Sequence, residues 1–259
     1  MKKIIILGID GAIGSFLSEK LSDKFIIQGT SRNKNSPHSY IDFSDRDSIS
    51  AFVNESLSDE VYGIINCYGL QKPIKSFLSA DFLDWEKNIT TNFVNYSFFL
   101  HKIINLNLQS IRKIISFSGG GATGPRKLFS AYAISKISIY KLSEILAEEF
   151  QDLNIDINVI APGSIKSKMT KEIISNKNIL GNEFSSAQQT IDSGGDDLNN
   201  VVKLCNYLLS KDSNGITGKL IAAQWDNFDL IKKLLKEEKN LFSLRRIDNK
   251  HFYENKEIK

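Results

Sequence analysis

A tyrosine four residues ahead of a lysine is the pair in this chain whose types and spacing can do chemistry. In Tyr132-Ala-Ile-Ser-Lys136 the two side chains fall on one face of a helix, about 6 Å apart. A free phenol has a pKa of about 10; an adjacent ammonium stabilises the phenolate and draws that value toward neutral pH, where proton transfer works best. The pair is therefore expected to give a proton to an oxygen, or to take one. Ser118 stands upstream, at the end of the apolar run from Ile111 to Phe117 and just before the Gly119-Gly120-Gly121 loop. A hydroxyl at that point lies where open α/β sheets bind ligands, outside the carboxyl ends of the strands.

The same spacing also occurs in helices that do no chemistry, so the surrounding elements must carry the argument. Ile4 to Leu7 is a continuous aliphatic run, as expected of a parallel strand covered on both faces. Gly8-Ile-Asp-Gly11-Ala-Ile13-Gly14 follows, and then Phe16, Leu17 and Leu21 on a helical period. Strand, glycine turn and helix together make a pyrophosphate site, with backbone N–H groups and a positive dipole end facing the phosphates.

Phe25 to Thr30 reads as a second strand, ending in Thr30-Ser31-Arg32 with no carboxylate. An acid at this point would bind the ribose 2′-hydroxyl of NAD, whereas a guanidinium suits the 2′-phosphate of NADP. NADP(H) is the cofactor expected, with Ser31 and Arg32 beside it. The stretch to a third strand at 39–42 is too short for a full crossover helix, and Asp42 either meets the adenine edge or caps a helix starting near Asp45. Val61 to Asn66 is a fourth strand closed by Asn66-Cys-Tyr-Gly69. Residues 81–108 read as a long helical region whose apolar face Asn92 interrupts, as a partnered core amide or as a site residue.

The Tyr132 helix continues through Ile139, Leu142, Ile145 and Leu146, and the strand after it ends in Ala161-Pro162-Gly163. The segment 170–195 is polar with weak periodicity and reads as a mobile lid over a pocket. A helix at 197–209, a last strand at 218–222 and a charged helix at 226–238 complete the pattern.

Composition narrows the function classes. The chain has 259 residues, 41% hydrophobic and 24% charged, with a net charge of +3. That size can bury a substantial core, and so small a charge gives no support to a nucleic-acid partner. Cys67 and Cys205 lack any metal-binding spacing, so no metal site is expected. The apolar run after Met1-Lys-Lys ends at Gly8, too short for a signal-peptide core or a membrane span, and a cytoplasmic location without membrane contact is expected.

Taken together, the N-terminal glycine turn, Asn66-Cys-Tyr-Gly69, Trp85 with Asn92 following it, Ser118, Tyr132-x-x-x-Lys136 and Pro162-Gly163 resemble the short-chain dehydrogenase/reductase family over roughly residues 3–223. The resemblance implies an α/β fold: a Rossmann-type doubly wound parallel sheet in three α/β/α layers, one domain over 1–225 with the substrate loop near 165–195 and a helical tail, 226–259, packed on it. It implies Tyr132 as general acid/base, Ser118 as holder of the substrate oxygen, Lys136 as tuner of the tyrosine, and Asn92 as anchor of a water in a proton relay. Gly8, Gly11, Ile13 and Gly14 would surround the pyrophosphate, Asn66 and Gly69 would line the cofactor, and Pro162, Gly163 and Ile165 would flank the nicotinamide. Tyr132 and Lys136 would also touch the cofactor, and the long helices would pair subunits into a homodimer or homotetramer.

The chain departs from the family pattern in three places. Ala12 stands where short members carry a middle glycine, which gives the spacing of the sugar-nucleotide-modifying branch. Tyr68 brings bulk near the cofactor. The ending Ala223-Gln-Trp-Asp226 and its basic tail are similar to those of reductases from bacterial surface-polysaccharide clusters. The expected activity is NADP-dependent reduction of a carbonyl, or oxidation of the matching secondary alcohol, on a small polar, sugar-related substrate. The competing readings are an epimerase or dehydratase that recycles bound cofactor, and a non-catalytic dinucleotide sensor.

Overall fold

The computed structural model describes residues 1–55, 60–176 and 181–246. Its strands are β1 (Lys2–Leu7), β2 (Phe25–Ser31), β3 (Ser39–Tyr40), β4 (Val61–Asn66), β5 (Lys113–Phe117), β6 (Asp156–Ala161) and β7 (Leu220–Ala222). They form one parallel sheet in the order β3-β2-β1-β4-β5-β6-β7. The chain winds outward from β1 to β3 and then returns past β1 to β4. That reversal opens a crevice at the carboxyl edge between β1 and β4. This is the doubly wound α/β fold expected.

The alternation of side chains along β1 shows why both faces need helices. Ile5 and Leu7 pack into one core with Phe99, Ile103, Ile114 and Ile139. Ile4 and Ile6 enter the opposite core with Ile65, Ile115, Leu204 and Leu208. Each of these buried aliphatic side chains contributes roughly 2 kcal/mol. The first core is covered by α2 (Arg46–Glu55), α4 (Asn95–Leu106) and α5 (Ser130–Glu149), the second by α1 (Ala12–Leu21) and α8 (Leu198–Leu209).

No helix links β2 to β3, in line with the short connection. The long helical region is α3 (Phe82–Ile89) running into α4 through a π-turn at Thr90–Val94, where Asn95 N–H donates to Thr90 O, five residues back. Tyr96 Oη and Ser116 Oγ, 2.7 Å apart, pin this helix to β5. The tail is held to the body: Ile231 is buried, Leu220 N–H donates to Phe242 O at 2.9 Å, and Leu244 N–H donates to Tyr140 Oη at 3.2 Å. The rest of the expected tail, 247–259, lies outside the described residues.

The segment expected as a mobile lid holds more regular structure than its weak periodicity announces. It carries two helices, α6 (Lys168–Ser175) and α7 (Asn182–Ser193), with 177–180 outside the described residues. Its few apolar side chains, Ile173, Phe184 and Ala187, pack with Ile74 and Phe129 into a third cluster. Helix formation needed only this sparse stripe, because the partners come from distant parts of the chain.

Candidate active site

The carboxyl edge of the sheet gathers the ends of β1, β2, β4, β5 and β6, and with them the residues singled out by type. Gly8 has φ +75°, a left-handed conformation that glycine adopts without strain. A Cβ on Gly14 would overlap the Gly8 carbonyl oxygen, so the turn closes tightly against the first turn of α1. Gly11 caps that helix without any side-chain hydrogen bond, leaving the first N–H groups of α1 for an anion. A glycine cradle at an open helix end fits a pyrophosphate.

Tyr132 is buried, with its phenol against Gly119, where any Cβ would overlap the ring and hydroxyl. Lys136 Nζ donates to Phe117 O at 3.0 Å and lies 5.7 Å from the Tyr132 ring centroid. Neither the Ser118 nor the Tyr132 hydroxyl has a hydrogen-bond partner among the described residues. The Ser118 backbone N–H donates to Ile160 O at 2.8 Å, fixing the end of β5 beside β6.

One electrostatic expectation is overturned. Burial pushes Tyr132 up to about 12, and the cation that offsets this rise is the Arg126 guanidinium, not Lys136. Burial also draws Lys136 down to about 8. Its ammonium is held by a backbone carbonyl, so desolvation outweighs attraction in both groups.

Asn92 sits in the π-turn and is 2% exposed. Its Oδ1 accepts from Leu70 N–H at 2.7 Å, while the two N–H groups of its Nδ2 are shared among Leu70 O at 2.7 Å, Asn88 Oδ1 at 3.0 Å and Ser135 Oγ at 3.1 Å. The side chain therefore clamps the segment after β4 to the helix bearing Tyr132 and Lys136. Within that segment Gln71 is buried, and its Oε1 lacks a hydrogen-bond partner among the described residues.

The remaining candidates lie along the same edge. Asn66 Oδ1 accepts from Tyr68 N–H at 3.1 Å, shaping the turn in which Gly69 faces the Lys136 ammonium. Tyr68 stacks on Phe43 with ring centroids 4.9 Å apart. Asp42 Oδ1 accepts from both the N–H and the hydroxyl of Ser44 at 2.8 Å, and Asp45 rather than Asp42 takes the Asp47 N–H at the start of α2. Gln224 Nε2 donates to Pro162 O at 2.9 Å, Ser164 N–H donates to Asp196 Oδ2 at 2.6 Å, and Ile165 bridges to Gly195. Gly163 has φ +91°, and a Cβ there would run into Asp196 and Gln224.

Sequence reasoning missed Asp196, Gln224, Arg126 and Asp10. Arg126 pairs through Nε and Nη2 with the Glu183 carboxylate of α7 at 2.7–3.1 Å, tying α7 to the loop before Tyr132. The statement that no carboxylate stands at the end of β2 is also corrected: Asp10, from the glycine turn, accepts a hydrogen bond from Ser31 Oγ. None of these partners has a local sequence signal, since each contact spans at least 20 residues.

The family model described as enoyl-(acyl carrier protein) reductase matches residues 19–224. The chain belongs to the short-chain dehydrogenase/reductase family. It is accordingly an NAD(P)-dependent oxidoreductase. It is 27% identical over 227 residues to the 3-oxoacyl-[acyl-carrier-protein] reductase FabG of Chlamydia trachomatis, covering 84% of each chain. It is 30% identical over 145 residues to mouse 17-beta-hydroxysteroid dehydrogenase type 3, which covers 54% of this chain and 47% of that protein. Among solved structures, ElxO with NADPH bound aligns at a TM-score of 0.71 and 21% identity, over 86% of this chain and 97% of that one. Among the described residues no helix is long and apolar enough to cross a membrane, and no group of His, Cys, Asp or Glu is arranged to hold a metal.

Proposed function

We propose that this reductase uses NADP(H) in preference to NAD(H) to interconvert a carbonyl and its secondary alcohol on a small polar, sugar-related substrate. The observation that carries the reading is the unbonded phenol of Tyr132, set between Gly119 and the Lys136 side chain at the carboxyl edge of the sheet. When bound, the dinucleotide supplies the hydride that reaches the carbonyl carbon.

The chain's own residues do the rest. Tyr132 Oη donates its proton to the carbonyl oxygen, and the Ser118 hydroxyl, without a hydrogen-bond partner among the described residues, donates a hydrogen bond to that oxygen as charge develops on it. The Arg126 guanidinium, which offsets the rise of Tyr132, and the Lys136 ammonium, 5.7 Å from the ring centroid, both offer positive charge to the phenolate left behind. Asn92 acts as a positioning residue through Leu70 and Ser135. Gly8, Gly11, Ile13 and Gly14 hold the pyrophosphate, Pro162, Gly163 and Ile165 bound the nicotinamide, and Arg32, exposed at the end of β2, takes the 2′-phosphate.

The test combines binding with turnover. NADPH should quench or enhance intrinsic fluorescence saturably in both wild type and Tyr132→Phe, while carbonyl reduction by the variant falls by at least ~10²-fold. Normal turnover in Tyr132→Phe with unchanged NADPH affinity would remove Tyr132 from the mechanism.

A further inference from the structure

The fold delivers a carboxylate to a place where the local sequence has none. Ile9 N–H donates to Thr30 O at 3.0 Å and Gly8 N–H to Thr30 Oγ1 at 3.4 Å, so the glycine turn lies along the end of β2. Asp10 rides on that turn. One of its oxygens accepts from Ser31 Oγ and the other from Ser36 Oγ at 3.4 Å. The Ser31 hydroxyl oxygen also accepts the Asn33 N–H at 2.9 Å, and Ser31 is buried, so its single proton is committed to Asp10.

The carboxylate itself is exposed. Two accepted hydrogen bonds leave about two of its four lone-pair directions open. Arg32 follows Ser31, also exposed, and its guanidinium makes no ion pair or hydrogen bond among the described residues. An open carboxylate and an open guanidinium thus flank one strand end without neutralising each other. This is the strand end that meets the adenosine ribose in a doubly wound fold.

We propose that Asp10 is a specificity-determining residue of the nucleotide site. Its carboxylate accepts the ribose hydroxyl hydrogen bonds of NAD(H) and repels the 2′-phosphate that Arg32 attracts, so the chain binds both dinucleotides and the Asp10–Arg32 pair sets the ratio. This rests on the dinucleotide-binding reading above and narrows the NADP(H) preference given there. Asp10 also braces Ser31, and a purely structural brace would weaken both nucleotides alike when removed.

The experiment is an equilibrium fluorescence titration with NADH and, separately, NADPH on wild type, Asp10→Asn, Asp10→Glu and Arg32→Ala. Asp10→Asn keeps an acceptor for Ser31 while removing the charge. It should tighten NADPH by roughly tenfold, a 1.4 kcal/mol change, and weaken NADH, whereas Asp10→Glu retains the wild-type preference. Arg32→Ala should weaken NADPH and spare NADH. If Asp10→Asn shifts both affinities by one factor, or neither, the proposal is overturned while the dinucleotide reading stands. If wild type binds neither nucleotide, the underlying reading falls and the proposal with it.

Discussion

Lys136 is 4% exposed, with its ammonium on the Phe117 carbonyl and 5.7 Å from the Tyr132 ring centroid. Its pKa lies near 8 and that of Tyr132 near 12, which fixes the sign of a pH dependence. Below about 8 the ammonium is charged, and the phenol is protonated throughout that range. Reduction needs both states, so kcat/KM for carbonyl reduction should be level below pH 8 and fall about tenfold per unit above it. A profile level through pH 9.5 would show that the Lys136 charge is not required. At this scale the sequence was half legible. Tyr132, Lys136 and Ser118 could be named because their side-chain chemistry and spacing are local properties. Asp10 and Arg126 could not, because what makes them matter is a neighbour 21 residues away in one case and 57 in the other.

The glycine turn and the lid show what can and cannot be read about elements. β1, the turn and α1 were legible because a four-residue aliphatic run, a glycine triplet and a helical period lie end to end. The need for Gly14 is now steric: an added Cβ meets the Gly8 carbonyl oxygen and the Ile9 Cα at 2.9 Å, all backbone that cannot swing aside. Gly14→Ala should therefore cost about 1–3 kcal/mol in urea unfolding, the usual range for overpacking, and weaken dinucleotide binding by displacing the turn. Unfolding and binding both unchanged would mean that the turn relaxes freely. The helices α6 and α7 were not legible, because Ile173, Phe184 and Ala187 form an apolar face only once Ile74 and Phe129 are brought to it. Besides that packing, the Arg126–Glu183 pair, partly buried and two-pronged, ties α7 to the body of the enzyme.

For the whole molecule, the alternation of strands and helices was legible in runs and periods and the doubly wound sheet came with the family resemblance, but the surface was less readable than the core. The outer faces of the long helices keep apolar side chains in solvent: Ile134 and Ile145 on α5 are 43% and 48% exposed, and Leu106 on α4 is 46% exposed. Positions 134, 138, 141 and 145 share one helical face, so the two isoleucines lie along a single line on the side of α5 away from Ser135, Ile139 and Ser143. Scattered apolar residues are ordinary on a surface; two isoleucines on one face of the helix that carries the catalytic pair, with Ser138 and Lys141 between them, suit self-association through a two-fold axis, where each residue is used twice. A homodimer or homotetramer is therefore expected by light scattering behind size exclusion at micromolar protein. Ile134→Asp combined with Ile145→Asp should shift the mass to that of a smaller species, because a charge buried without a partner is strongly unfavourable, while leaving the unfolding midpoint of the separated subunit within the range of ordinary surface changes. A wild-type mass of 29.2 kDa, that of the lone chain, would reject association, and an oligomer indifferent to both substitutions would place the interface on another face.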